Sequence, residues 1–214
     1  MTTPPGLSDN QIQTALSPYG GSPNSGLCDA IRAYIDLLLR WNRRISLTTV
    51  TDPDEILRFH VGESIAAISA VPIEKGRLAD VGSGAGFPGV PLALFLPLLD
   101  VTLIESNAKK ATFLSEVQRQ LNLHRVQVFR GRAEDLPAQG AKFDYVTARA
   151  VGKYDELLLW SSKALNPGGK AILWLGDKEA SEISADPGWT WRAPQKIIGS
   201  QKRFLVVGAL SPSP

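Results

Sequence analysis

A glycine-rich stretch in the first half of the chain holds the residues whose types and spacing point to chemistry. A short apolar strand is predicted to end at Asp80, and a loop with Gly82, Gly84 and Gly86 follows it. Glycine lets a backbone approach a ligand without a Cβ in the way. The next predicted strand ends at Glu105, where an acid can accept hydrogen bonds from two ribose hydroxyls. The pattern predicts a site for an adenosine-containing cofactor.

The glycine pattern alone fits two kinds of cofactor. Gly84, Gly86 and Gly89 satisfy the dinucleotide fingerprint GxGxxG, in which a helix N-terminus binds a pyrophosphate. S-adenosylmethionine has no phosphate; it carries a sulfonium cation and an amino acid, and Asp80 just before the glycines suits its ammonium group, directly or through water. We interpret the segment as a methyl-donor site. The alternatives are a nicotinamide dinucleotide site and a loop that only makes a tight strand-to-helix turn.

Composition limits the classes of protein that are possible. A chain of 214 residues with 43% hydrophobic and 21% charged residues is ordinary for a globular enzyme. The single cysteine, Cys28, excludes an internal disulfide framework, and no secretory signal precedes Arg32, so we expect a cytoplasmic protein. Prolines interrupt the apolar run 87–104, which argues against a membrane span. A net charge of +2 is too small to indicate nucleic acid by itself, although basic residues cluster in 109–132 and 192–203.

Hydrophobic periodicity predicts an α/β fold, and with the methyl-donor interpretation of the glycine loop we expect the class I S-adenosylmethionine-dependent methyltransferase type. Residues 1–72 are predicted to form an N-terminal helical layer, residues 73–210 a Rossmann-like methyltransferase domain, and residues 211–214 a frayed tail. The domain should contain a doubly wound, mostly parallel sheet with one antiparallel strand in the edge region. Strands are predicted near 77–81, 101–105, 126–130, 143–148 and 170–175, and helices near 88–96, 107–121 and 153–165.

The residues expected at the carboxyl ends of these strands include no nucleophile, obvious general base or metal cluster. Ala133 and Glu134 should flank the adenine, although Glu134 also fits a surface or helix-start acid. Thr147 to Ala150 stands where amine methyltransferases carry an Asn/Asp-Pro-Pro-aromatic loop, and Cys28 lies far off in the helical layer. We therefore predict an acceptor that already has a free lone pair, such as guanine N7, and catalysis by alignment without a catalytic side chain.

Several motifs, in order along the chain, resemble those of the ribosomal RNA small subunit methyltransferase G (GidB) family. They are Trp41-Asn-Arg-Arg-Ile-Ser-Leu-Thr48, Arg58-Phe-His60 with Glu63-Ser64, Asp80-Val-Gly-Ser-Gly-Ala-Gly-Phe-Pro-Gly89, Gly131-Arg-Ala-Glu-Asp135 and Thr147-Ala-Arg-Ala150. The resemblance implies methylation of a guanine N7 in small-subunit ribosomal RNA, free or in a ribosomal particle, in the bacterial cytoplasm. It implies S-adenosylmethionine as the donor, held by Gly82, Phe87, Glu105, Ala133, Glu134 and Arg149.

Three basic residues raise separate expectations. Arg149 follows the fourth strand beside the expected methyl position, where an unpaired cation would repel the sulfonium, so we predict that it pairs with a carboxylate or an RNA phosphate. His60 is a candidate for positioning RNA, with a packed or capped histidine as the alternative. Arg203 falls near a C-terminal arginine of the family and is a candidate phosphate ligand, with an exposed edge-strand charge as the alternative.

The chain also departs from the family pattern. Ser46 and Glu63 replace the usual Asn and Asp of the first two motifs, and Leu175 replaces a lysine after the fifth strand, which would remove an RNA contact. Two other functions therefore remain open. One is a catalytically impaired ribosome-assembly factor that keeps the donor fold, and the other is a nicotinamide-dependent oxidoreductase. Oligomeric state is not predicted.

Overall fold

The predicted alternation of strands and helices is present in the computed structural model, which describes residues 6–136, 142–200 and 202–210. The predicted tail at 211–214 lies outside the described residues. The helices are α1 (Asp9–Leu16), α2 (Ser25–Asn42), α3 (Pro53–Ile56), a π-helix (Leu57–Gly62), α4 (Glu63–Ala70), α5 (Gly89–Phe95), α6 (Ala108–Gln120), α7 (Tyr154–Ala164) and α8 (Asp177–Ile183). The strands are β1 (Gly76–Val81), β2 (Leu99–Glu105), β3 (Val126–Arg130), β4 (Phe143–Arg149), β5 (Leu165–Leu175), β6 (Trp189–Trp191), β7 (Gln195–Lys196) and β8 (Phe204–Leu210).

One mixed sheet contains these strands in the order β3-β2-β1-β4-β5-β8-β6, with β7 also paired to β8. β1 to β5 run parallel, and β8 lies antiparallel to β5. Because β6 and β7 pair antiparallel with β8, β8 alone among the described strands runs against the others. The predicted parallel sheet with one antiparallel strand is confirmed. The strand order reverses between β1 and β4, and in open sheets ligands bind at such a reversal, outside the carboxyl ends.

The N-terminal helices begin where the sequence places capping residues. The Ser8 side chain and Gln11 form a capping box at the start of α1, and Asn24 Oδ1 accepts a hydrogen bond of 2.9 Å from the amide of Leu27 in α2. The buried positions of α2 recur at helical spacing and are Cys28, Ile31, Tyr34, Ile35, Leu37 and Leu38. These side chains join one hydrophobic cluster with β1, β2, α5 and α6. The helical layer therefore covers the sheet through a shared core.

Three parts of the fold were not predicted. Residues 57–62 form a π-helix between α3 and α4, and π-turns of this kind are frequent at functional sites. α8 is a short helix with a mostly polar sequence, so its apolar periodicity is weak. β8 lies between β5 and β6 and is therefore not the outermost strand. The domain boundary at 72/73 stays a prediction; it falls between the end of α4 and the start of β1.

Candidate active site

The glycine loop after β1 is shaped by contacts that exclude a side chain at two positions. Gly82 and Gly86 have positive φ angles of 70° and 97°, which other residues rarely adopt. A Cβ on Gly82 would meet Val151 at 2.9 Å, and one on Gly86 would meet the Tyr34 hydroxyl at 2.7 Å. That hydroxyl donates a 2.6 Å hydrogen bond to the carbonyl of Ala85. The loop is thus packed too closely against Val151 for a side chain at Gly82, and the Tyr34 hydrogen bond fastens it to α2.

Glu105 ends β2 with its carboxylate turned into the same loop. Oε2 accepts from the amide of Gly84 at 2.9 Å, and Oε1 accepts from the amide of Asn107 at 2.7 Å. Only 7% of the residue is exposed. Each carboxylate oxygen has two lone pairs, so each can accept one further hydrogen bond from a ligand. The side chain is therefore preorganised to receive two neighbouring hydroxyls.

Asp80 lies beneath the loop. The carboxylate has no exposed surface; Oδ1 accepts from the Thr147 hydroxyl at 2.9 Å and Oδ2 from the amide of Gly89 at 3.2 Å. Burial raises the pKa of Asp80 to about 6, against the lowering effect of its hydrogen bonds to Thr147, Ser83 and Gly89. A direct contact with a ligand's ammonium group would need the loop to move, and a contact through water stays a prediction.

A cavity of about 350 Å³ opens between the loop and the ends of β2, β3 and β4. Gly82, Ala133 and Glu134 line it, so the structure brings these three predicted residues together. Ala133 is buried, whereas Glu134 is exposed in the short 3-10 turn Ala133–Asp135. The remaining lining residues are Val81, Ile104, Ser106, Gly131, Arg132, Ala150, Val151, Lys153, Glu156, Leu157 and Trp160. The mixture of apolar walls and polar rim fits a nucleoside.

Arg149 turns away from this cavity towards the helical layer. Nη2 lies 2.9 Å from Glu63 Oε2 and donates to the carbonyl of Phe59 at 3.0 Å, and Nη1 is buried without a partner among the described residues. The predicted pairing of Arg149 with a carboxylate is confirmed. Burial lowers the pKa of Arg149 to about 10, and the Glu63 charge opposes that effect. Glu63 also lies 3.2 Å from Nε of Arg203, whose side chain is 39% exposed.

His60 is packed between the helical layer and the loop. Its ring lies 4.7 Å from that of Phe87, and Arg149 Nη2 is 3.2 Å from Nδ1. Because a guanidinium only donates, Nδ1 must be the acceptor, which leaves the proton on Nε2, 2.9 Å from the Thr48 hydroxyl. Burial and then the Arg149 charge lower the pKa of His60 to about 4, so the ring is neutral near pH 7. Both nitrogens are engaged, which favours the packed alternative over a direct RNA contact.

Other chemistry would need a reactive cysteine or a metal site within residues 6–136, 142–200 and 202–210. Cys28 is buried in α2 and does not line the cavity. No group of His, Cys, Asp and Glu in these ranges has the arrangement of a metal site. None of the helices there combines the length and the apolar character that crossing a membrane requires. The residues that line the cavity suit the binding and alignment of a ligand, and catalysis without a catalytic side chain stays a prediction.

Sequence reasoning missed two residues at the site. Tyr34 was assigned only to the apolar face of α2, and no local signal marks its hydroxyl as the anchor of Ala85. Glu63 was noted only as a departure from the family pattern, although an acid in a buried helix start is a signal that it has a cationic partner. Leu175 is 1% exposed at the end of β5 and belongs to the core.

Comparison with known proteins places this geometry in context. The family model described as rRNA small subunit methyltransferase G (GidB) matches residues 27–191. A ribosomal RNA small subunit methyltransferase G from Xanthomonas axonopodis pv. citri is 43% identical over 178 residues, covering 81% of this chain and 82% of the relative. One from Desulfitobacterium hafniense is 40% identical over 179 residues, covering 82% and 68%. The crystal structure of precorrin-6y C5,15-methyltransferase from Geobacter metallireducens GS-15 is similar in fold, with a TM-score of 0.59 at 14% identity, covering 78% of this chain and 92% of that one.

Proposed function

The chain belongs to the rRNA small subunit methyltransferase G family, and on that premise we propose that it transfers a methyl group from S-adenosylmethionine to N7 of a guanine in 16S ribosomal RNA. The observation that carries the proposal is the crevice at the carboxyl ends of β1, β2 and β4. There, a glycine loop, a preorganised carboxylate on Glu105 and a nucleoside-sized cavity lie side by side.

The residues present fit this donor. Glu105 has acceptor capacity for two ribose hydroxyls, and Ala133 and Glu134 border the space for the adenine. Gly84, with a φ of 57°, has no atom closer than 3.7 Å to a Cβ built on it, so the backbone there is open to a ligand. When bound, S-adenosylmethionine supplies an electrophilic methyl group on a sulfonium.

The protein contributes alignment and electrostatics. Guanine N7 carries its own lone pair, so the step needs no base to remove a proton from the acceptor. Glu105 and the glycine loop fix the donor, and the Phe87–His60 ring pair closes the side towards the helical layer. The neutral His60 and the paired Arg149 keep uncompensated positive charge away from the transferring methyl. Holding the two reactants in line supplies the catalysis.

The proposed substrate partner is small-subunit ribosomal RNA, free or within a ribosomal particle, in the cytoplasm. Arg203 is the candidate for a phosphate contact, because its side chain is 39% exposed and it belongs to a stretch of sequence, 192–203, that is rich in basic residues. Because Leu175 replaces a lysine of the family pattern, an inactive ribosome-assembly factor was an alternative function. Since its side chain is part of the core and the donor crevice is intact without a lysine there, nothing at this position favours the inactive alternative.

A mass map of 16S RNA tests the proposal. Small-subunit particles from a strain lacking the enzyme are incubated with the protein and S-adenosylmethionine, and the RNA is digested and sequenced by mass spectrometry. We expect one new methyl group on a guanine, at N7, as shown by cleavage chemistry that is specific to 7-methylguanine. Methylation of another base or atom would overturn the acceptor assignment. Binding of NAD in place of S-adenosylhomocysteine would overturn the donor assignment.

A further inference from the structure

Glu63 sits where two arginines converge beside the transfer site. Its Oε2 lies 2.9 Å from Arg149 Nη2 and 3.2 Å from Arg203 Nε, so the carboxylate is shared by two ion pairs. The Glu63 side chain is 3% exposed. Its backbone is fixed as well, because Trp174 Nε1 in β5 donates a 2.7 Å hydrogen bond to its carbonyl. Glu63 is therefore linked to Arg149 at the end of β4 and to Arg203 before β8 through its carboxylate, and to β5 through its backbone.

The two arginines differ in how well they tolerate an unpaired charge. The Arg149 side chain is 7% exposed and the Arg203 side chain 39%. A buried cation without a counter-charge is very costly, whereas an exposed one is solvated by water. With one carboxylate for two guanidiniums and a neutral His60, the negative charge belongs with Arg149, and the surplus positive charge stays at the exposed Arg203.

Arg149 ends β4, immediately before Ala150 and Val151, which line the donor cavity. Without Glu63, its positive charge would act on a cationic ligand through a poorly solvated interior, where charges are screened less than in water. A ligand that is neutral at the same position would not feel that charge. Glu63 is thus placed to control whether the crevice accepts a sulfonium.

We propose that Glu63 is a positioning residue that cancels the charge of Arg149 towards the methyl donor, so that the crevice tolerates a sulfonium cation. This inference rests on the proposed function and deepens it. It assigns to the helical layer an electrostatic role at the donor site, beyond covering the sheet. It also assigns a function to the buried ion pair of Glu63 and Arg149. A buried ion pair is by itself weak evidence that the interaction stabilises the fold.

A pair of ligands isolates the effect of charge. S-adenosylmethionine and S-adenosylhomocysteine share the adenosine and the amino acid and differ at sulfur, which is a cationic sulfonium in the first and a neutral thioether in the second. The ratio of their dissociation constants is measured by calorimetry. S-adenosylmethionine also carries the additional methyl group, but that contribution is common to all variants. A change in the ratio between variants therefore reports the charge environment of the sulfur. For Glu63→Gln we expect this ratio to shift about tenfold against S-adenosylmethionine, the effect of a unit charge about 10 Å away at an effective dielectric constant near 20.

Three further variants make the sign of the effect decisive. Glu63→Asp keeps the charge and should restore the wild-type ratio. Arg149→Gln removes one positive charge and leaves Glu63 paired with Arg203 alone. The ratio should therefore shift in favour of S-adenosylmethionine, even if both ligands bind more weakly. The double variant Glu63→Gln, Arg149→Gln should return the ratio to near the wild-type value. Circular dichroism and thermal unfolding with either ligand show which variants fold. If Glu63→Gln does not fold, Arg149→Gln by itself tests the direction in which the ratio shifts.

Equal weakening of both ligands in Glu63→Gln would overturn the inference, because a purely structural role changes the fold of the crevice and not its preference for charge. An unchanged ratio in Arg149→Gln would overturn it as well. If the wild-type protein bound neither ligand, the proposed function would fall and this inference with it. These results are distinguishable, because the wild-type affinities test the function and the ratios test Glu63.

Discussion

Replacing Glu105 by glutamine should weaken donor binding about 30-fold. In the wild-type protein the two carboxylate oxygens accept from the amides of Gly84 and Asn107 and retain one lone pair each for a ribose hydroxyl. Glu105→Gln turns one oxygen into an NH2 group, which cannot accept. One hydroxyl then loses its acceptor, and the other exchanges a charged acceptor for a neutral one.

The magnitude follows from hydrogen-bond energies. Hydrogen bonds to charged groups contribute about 1.5–3 kcal/mol and neutral ones about 0.5–1.5 kcal/mol, so a net loss of about 2 kcal/mol is expected. At about 1.4 kcal/mol for each factor of ten, this corresponds to roughly 30-fold in the dissociation constant. Calorimetry with S-adenosylhomocysteine measures it without turnover. The fold should also lose about 1–3 kcal/mol, because the new NH2 group faces a backbone N–H.

Glu116→Gln is the matched control. Glu116 is an acid on α6 that pairs with Arg119 at 2.8 Å and lines a different cavity, between α2 and α6, so its replacement should leave donor affinity unchanged. If Glu105→Gln bound the ligand within about twofold of the wild-type protein, the assignment of Glu105 to the ribose would be wrong. Equal weakening in both variants would indicate a general loss of structure instead.

Three other substitutions give distinct readouts. Tyr34→Phe removes the 2.6 Å hydrogen bond to the carbonyl of Ala85, and we expect a loss of about 1–3 kcal/mol in the free energy of unfolding by urea; a change within error would contradict the anchoring role. The pKa of Asp80 is raised to about 6 in the folded protein, so folding favours the protonated carboxyl group. The stability that Asp80 contributes is therefore present at acid pH and is lost as the pH rises from about 4 to 6. Asp80→Asn, which can still pair with Thr147, should therefore gain stability relative to wild type over that window, by up to about 3 kcal/mol near pH 7; a pH-independent difference would contradict this. Arg203→Ala should lower the salt dependence of RNA binding by about one phosphate contact and leave donor affinity unchanged, and an unchanged salt slope would exclude that contact.

The donor crevice was largely predictable because its signals are local. Strands β1 and β2 are short apolar runs, each followed by its own acid, and the chain direction of a parallel sheet brings Asp80 and Glu105 to the same edge. A glycine-rich turn directly after a strand favours positive φ angles, and Gly82, Gly84 and Gly86 have them. The fold of the methyltransferase domain follows from the same alternation of periodicities.

The charged network around Arg149 was not predictable to the same extent. Its members come from the π-helix, α4, the end of β4 and the segment before β8, and no sequence spacing specifies which carboxylate meets which arginine. The requirement that a buried cation be paired predicts that Arg149 has a partner. Only the packing of the helical layer on the sheet determines that the partner is Glu63.

The hydrogen bond from Tyr34 to Ala85 spans 51 positions of the chain and links the glycine loop after β1 to α2 in the helical layer. The two segments therefore cannot be exchanged independently between relatives. Consider a chimera whose first 70 residues come from a relative without a hydroxyl at position 34. Its glycine loop would lack the hydrogen bond to the carbonyl of Ala85 and would be less firmly held. Transplanting substrate preference within the family should thus move both segments together.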